Sequence, residues 1–151
     1  MSRKLPLDTL ISLATTRTDD AARRLGVLQT AHTSTHQRLT MLLEYRQGYY
    51  DQLQLLMDSG MPSAQWSNYQ RFLQTLDRAI EQQRAIANHS TSQLDGGRVD
   101  WQQQRRKLNS FDTLAERAAT QLRLAQGKQE QRESDERSGR AFAQRGSRSF
   151  G

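Results

Sequence analysis

With 151 residues and a hydrophobic share of 34%, the chain is long enough for one domain but too polar for a broad globular interior. It contains no cysteine, which excludes disulfide frameworks and thiolate metal sites and leaves helix packing as the source of stability. A net charge of +6 fits nucleic acid, an acidic membrane surface or an acidic protein, but the bases are mixed with acids and no aromatic-basic reader motif accompanies them, so nucleic acid is not an expected partner.

The stretch from Met1 to Asp8 is charged early and has no apolar run of signal-peptide length, and no later segment approaches the ~20 apolar residues needed to cross a bilayer. A cytoplasmic protein without direct membrane insertion is expected. From Leu7, alternating steps of three and four residues give Ile11, Ala14, Thr18, Ala21, Leu25, Leu28, His32, Thr35, Leu39, Leu42, Arg46, Tyr49, Leu53 and Leu56. A mean spacing of 3.5 held for about seven heptads exceeds an ordinary globular helix and requires a supercoiling partner. A first helix over about 7–58 is predicted, roughly 75 Å long at ~1.5 Å per residue.

Residues 59–64 read as a turn: Gly60 closes the first helix, Pro62 opens the next, and Ser63 is the candidate N-cap. The second helix, predicted over about 65–125 or beyond, carries Trp66, Leu73, Ile80, Ala87, Leu94, Trp101, Leu108, Ala115 and Leu122 at seven-residue intervals, all apolar. Its companion series is Tyr69, Leu76, Gln83, Ser90, Gly97, Gln104, Phe111, Ala118 and Ala125, polar in the middle. The predicted fold is therefore all-α, a long two-helix antiparallel coiled-coil hairpin with a mobile C-terminal tail.

A turn centred near Met61 sets facing residues at numbers adding to about 122, which can be checked against side-chain size. Leu56 then faces Trp66, Leu53 Tyr69, Leu42 Ile80, Leu28 Leu94 and Ile11 Phe111, while small Ala21 faces Trp101. His32 opposite Ser90 and Thr18 opposite Gln104 form polar layers of the kind that fix register at some cost in stability. Arg46 falls opposite Leu76 and has to send its guanidinium out past the seam. Gly96 and Gly97 interrupt the second helix, either as a soft point or because Gly97 makes room for Leu25. Over 126–151 the apolar seam is lost, and a fraying helix followed by a disordered basic tail is expected.

No arrangement for catalysis is present, so no enzyme and no cofactor are expected. His32 and His36 lie one turn apart without further ligands, which reads as one packed and one exposed histidine rather than a metal site. Asp19 and Asp20 belong to a solvated face, and neither a phosphate loop nor a nucleophile elbow occurs. The surplus feature lies beside the seam near the turn. Tyr45, Phe72 and Ala79 sit one edge outward from Leu42, Tyr49 and Leu76, giving an apolar edge that either broadens the seam or receives a protein partner.

The stretches Asp19 to Gly26, Leu39 to Tyr49 and Trp66 to Gln82, with the tail element Phe142 to Arg145, resemble the flagellar export protein family FliJ. The resemblance implies a component of the flagellar type III export apparatus, similar in shape to the coiled coil of the rotary γ subunit of F-type ATPases. It further implies three partners: a hexameric export ATPase whose assembly and activity it promotes, the cytoplasmic domain of a membrane export gate, and export chaperones with their substrates. By the same resemblance, the gate-binding edge comprises Leu42, Tyr45, Tyr49, Phe72, Leu76 and Ala79. Its polar positions are Arg38 and Gln83, which depart from the glutamine and histidine of the family pattern. Leu13, Arg23, Arg24 and Arg117 are selected for the ATPase contact by location and charge. The competing reading is a secretion chaperone or general coiled-coil scaffold.

Overall fold

The computed structural model describes residues 5–148, which form α1 (Leu5–Asp58) and α2 (Ser63–Arg148), packed against one another as an antiparallel hairpin. Helix is favoured throughout because Gln, Arg, Leu and Ala dominate and proline is confined to positions 6 and 62, where no helix interior is broken. The turn between the helices follows from two residues. Gly60 takes φ 85°, a left-handed conformation that strains any residue bearing a Cβ, and its N–H donates to the Met57 carbonyl at 3.2 Å. The Pro62 carbonyl accepts from Trp66 N–H at 3.1 Å, so proline occupies the cap position and Ser63 is already the first helical residue rather than the N-cap.

The chain divides into two compact units, Thr15–Arg105 and Met1–Ala14 with Arg106–Gly151. Within the first, every seam position from Thr18 to Leu56 and from Trp66 to Gln104 is buried or half-buried, as a sustained 3.5-residue spacing demands. Ala21, Leu53, Leu73, Leu76, Ile80, Ala87, Ser90 and Leu94 form its interior. Cross-helix contacts confirm the register. Tyr49 stacks on Phe72 with ring centroids 4.3 Å apart, Gln83 Nε2 donates to the Thr35 carbonyl at 2.9 Å, and Arg24 Nη2 donates to Asp100 Oδ2 at 3.0 Å.

Gly97 serves close packing: a Cβ there would stand 2.6 Å from Leu28 Cδ1 and 3.7 Å from Leu25 Cδ1, whereas one at Gly96 would meet open space. The room is needed chiefly by Leu28 and secondarily by Leu25, and α2 stays helical through both glycines. Arg46 leaves the seam as its position requires. Its Nε lies 2.8 Å from Asp77 Oδ1, an ionic contact off the line of a hydrogen bond, and its guanidinium carbon stands 5.3 Å from the Tyr50 ring centre.

In the second unit Ala14 is buried, and Leu7, Ile11, Leu108, Phe111 and Ala115 are half-buried. Burial ends there. Ala118, Leu122 and Ala125 keep the seam spacing but are exposed, because the described part of α1 supplies no layer opposite them in this register. The helix nevertheless runs on through Arg148, with every residue from 116 to 146 exposed. Local pairs support it there: Gln129 with Glu133, Gln131 with Asp135, and Arg137 Nε donating to the Glu133 carbonyl. Of the stretch 126–151 expected to fray and then become a disordered basic tail, residues 126–148 are helical, and residues 149–151 lie outside the described residues.

Candidate protein-docking edge

Four aromatic rings from the two helices converge next to the turn. α1 contributes Tyr45 and Tyr49, one turn apart, and α2 contributes Tyr69 and Phe72. Tyr49 is the hub, stacked on Phe72 at 4.3 Å and tilted against Tyr69 at 5.1 Å, while Tyr45 meets Phe72 edge-on at 6.0 Å. Aromatic contacts of this kind contribute roughly 0.5–1.5 kcal/mol each beyond area burial. The Tyr49 phenol is held above its ordinary value of 10.0, first by burial and then by the neighbouring Tyr69 and Tyr45 phenols, so it stays neutral and donor-competent over the physiological range.

The predicted edge residues divide by depth. Leu76 is buried and supports the edge from beneath; Leu42, Tyr49, Phe72 and Ala79 are half-buried; Tyr45 is 55% exposed and Arg38 is exposed. A shallow cleft of about 390 Å³ opens beside the rings, lined by Arg38, Met41, Leu42, Tyr45 and Gln83. Gln83 is committed to the Thr35 carbonyl and so stitches the helices together at the cleft floor. Met41, 66% exposed, is the lining residue that the sequence reading passed over. Its position three residues after Arg38 and four before Tyr45 was the available signal.

The four residues chosen for their charge or their nearness to the termini are distributed over both units, Leu13 and Arg117 in one and Arg23 and Arg24 in the other, and all are exposed. Arg23 stands 3.6 Å from Asp20 on its own helix, but Arg24 is held across the hairpin by Asp100. The two arginines are therefore not equivalent: Arg24 has a structural partner whose loss would disturb the pairing of helices.

His36 Nδ1 is hydrogen-bonded to the His32 carbonyl at 2.9 Å, with the two rings 4.0 Å apart. That bond ties down one ring nitrogen of the pair, and both histidines are half-buried rather than one packed and one exposed. No described helix is long and apolar enough to cross a membrane.

A narrow antiparallel seam with an aromatic edge and an adjoining open cleft defines the class, a two-helix hairpin protein. Comparison with known proteins gives the family: the family model described as Flagellar FliJ protein matches residues 3–147. The chain is 35% identical over 145 residues to the Flagellar FliJ protein of Salmonella typhi, covering 96% of this chain and 95% of that one. It is 37% identical over 139 residues to the Flagellar FliJ protein of Escherichia coli strain K12, covering 92% and 91%. The chain belongs to the flagellar FliJ family, and with it to the components of the flagellar export apparatus, a family of export proteins rather than of known enzymes.

Proposed function

We propose that this chain is a non-catalytic coupling protein at the cytoplasmic face of the flagellar type III export apparatus. It binds the hexameric export ATPase as a γ-like stalk, promotes assembly and activity of the ring, and links it to the membrane export gate and to substrate-loaded chaperones. The observation that carries the reading is the aromatic edge: Tyr45 is left open to solvent above rings that are otherwise packed, beside a cleft with one exposed guanidinium. Leu42, Tyr45, Tyr49, Phe72 and Ala79, with Arg38, are assigned to the gate; Leu76 and Gln83 hold that surface in shape.

Two measurements test the assignment. Tyr45→Ala combined with Phe72→Ala is expected to weaken binding of the gate's cytoplasmic domain at least about tenfold while circular dichroism stays helical. Unchanged gate affinity would sink the edge assignment. For the ATPase contact, Arg23→Glu is the cleaner probe because Arg24 also holds Asp100. A several-fold loss of ATPase stimulation is expected from Arg23→Glu, with a similar loss from Arg117→Glu; full stimulation by both variants removes these residues from the contact. A concentration-dependent dimer without any ATPase effect would favour the scaffold reading instead.

A further inference from the structure

The apolar edge extends a full heptad past its aromatic part. Phe72 and Ala79 belong to one seven-residue series of α2 whose next members are Ile86, Gln93 and Asp100; Tyr45 and Arg38 belong to a facing series of α1 continued by Ala31 and Arg24. Contacts fix both ends of this paired row, Tyr45 against Phe72 at the aromatic end and Arg24 against Asp100 at the other. Residues between them therefore share one edge of the hairpin. Ile86, 51% exposed, and the exposed Ala31 extend the apolar surface, and Met41 widens it outward from the cleft.

Charge on this edge is lopsided. Arg24 and Asp100 satisfy each other, while Arg38 has no ion pair among the described residues and sits midway between the aromatic end and Ile86. We infer that the edge seats a third helix, supplied by a partner protein, amphipathic over about 14 residues or more, with apolar side chains on the Tyr45–Phe72 and Ala31–Ile86 positions and a carboxylate facing Arg38. The inference rests on the reading of this edge as the gate-binding surface, and adds to it a partner chemistry and a second contact point.

A helix is selected by spacing. The anchor points recur every seven residues, about 10.5 Å, which is the repeat of a helix seam and not of a strand, whose same-face side chains recur every ~6.7 Å. The acidic partner is selected by complementarity. A second copy of this chain offering the same edge is disfavoured because Ala31, Arg38, Met41, Tyr45, Phe72 and Ile86 include no carboxylate to meet Arg38.

The test uses the full chain and a fluorescent synthetic helix of three heptads, with leucine at both seam positions and one central glutamate, beside a twin carrying lysine in place of that glutamate. The glutamate peptide is expected to bind, Ile86→Lys to weaken it about tenfold, and Arg38→Glu to switch preference to the lysine twin. Equal binding to wild type and Ile86→Lys, or no switch with Arg38→Glu, overturns the inference. So does sedimentation showing a dimer that Ile86→Lys dissolves, because the occupant is then a second copy. Running the gate's cytoplasmic domain against the same variants separates the two readings. If Tyr45→Ala with Phe72→Ala abolishes gate binding but Ile86→Lys leaves it intact, the gate assignment stands and the extended helix site falls. If the peptide behaves as expected and the gate domain ignores every edge variant, the helix site stands and the gate assignment falls.

Discussion

Next to the turn, the hairpin's layers are made of Leu53, Tyr49, Leu42, Tyr69, Leu73, Leu76 and Ile80; farther from it, Thr18, His32 and Thr35 meet Gln104, Ser90 and Ala87. These alternate with layers where Leu25 and Leu28 meet Gly97 and Leu94 and Ala21 meets Trp101. Both stretches keep the same seam spacing and the same register, yet one is dominated by large apolar layers and the other interleaves them with small or polar ones. The difference teaches that a coiled coil separates adhesion from alignment: apolar layers hold the helices together non-directionally, while groups such as Gln83 Nε2 on the Thr35 carbonyl fix which residues meet.

The comparison breaks most clearly at a single layer from each region. Ile80 is 2% exposed in the aromatic half, and Ile80→Ala is expected to cost about 2–4 kcal/mol by lost burial and a residual cavity. Ser90 is also buried, but Ser90→Ala is expected to change stability by no more than ~0.5 kcal/mol, since alanine is the better helix former and the layer already tolerates a small side chain. Urea unfolding followed by circular dichroism measures both. Equal losses would show that the polar layer contributes to adhesion as much as the apolar one.

Much of this was legible in the sequence, for a physical reason. The three-four spacing marked both seams, and matching large residues against small ones placed the register, because seam positions are dictated by geometry alone. What escaped depended on rotamers or on where a partner helix stops. Arg46 was expected to leave the seam, but its choice of Asp77 and Tyr50 as partners follows from side-chain packing. Burial stops at Ala115 although the apolar spacing goes on to Ala125, because burial belongs to a pair of helices and spacing to one. Helix from 126 to 148 carries no seam, so periodicity had nothing to report there. The docking edge was legible through its surplus aromatics, whereas Met41 and Ile86 stand off both apolar series, and for Met41 only its place one turn from Tyr45 could have marked it.

Glycines sharpen the contrast between backbone need and packing need. Gly60→Ala is expected to destabilise by about 1 kcal/mol, because φ 85° is costly for a residue with a Cβ even in open space. Gly96→Ala is expected to stabilise by roughly 0.5–1 kcal/mol, since the added methyl meets nothing and the helix gains propensity. Gly97→Ala gains the same propensity but pushes on Leu28 Cδ1, so its net effect is expected to fall below that of Gly96→Ala. Thermal melts of the three variants test the ordering; a larger gain at Gly97 than at Gly96 would mean that the Leu28 contact relaxes freely.

The smallest expected effect distinguishes the two regions by pH. Tyr49 is an acid whose folded-state value is raised above 10.0, so the unfolded chain gives up this proton first as alkali is added. Stability from this group is then complete below about pH 10 and is lost as pH rises beyond it, because the unfolded state binds fewer protons there. Tyr49→Phe is expected to flatten that alkaline decline while leaving the melt at neutral pH nearly unchanged. The two tryptophans locate the effect: Trp66 reports the aromatic half and Trp101 the small-and-polar half. With Trp101→Phe as background, Trp66 emission is expected to register alkaline loosening before the Trp101 signal does in the Trp66→Phe background. Simultaneous changes would mean that the apolar and polar layers open as one cooperative unit, and that their division of labour concerns alignment rather than local stability.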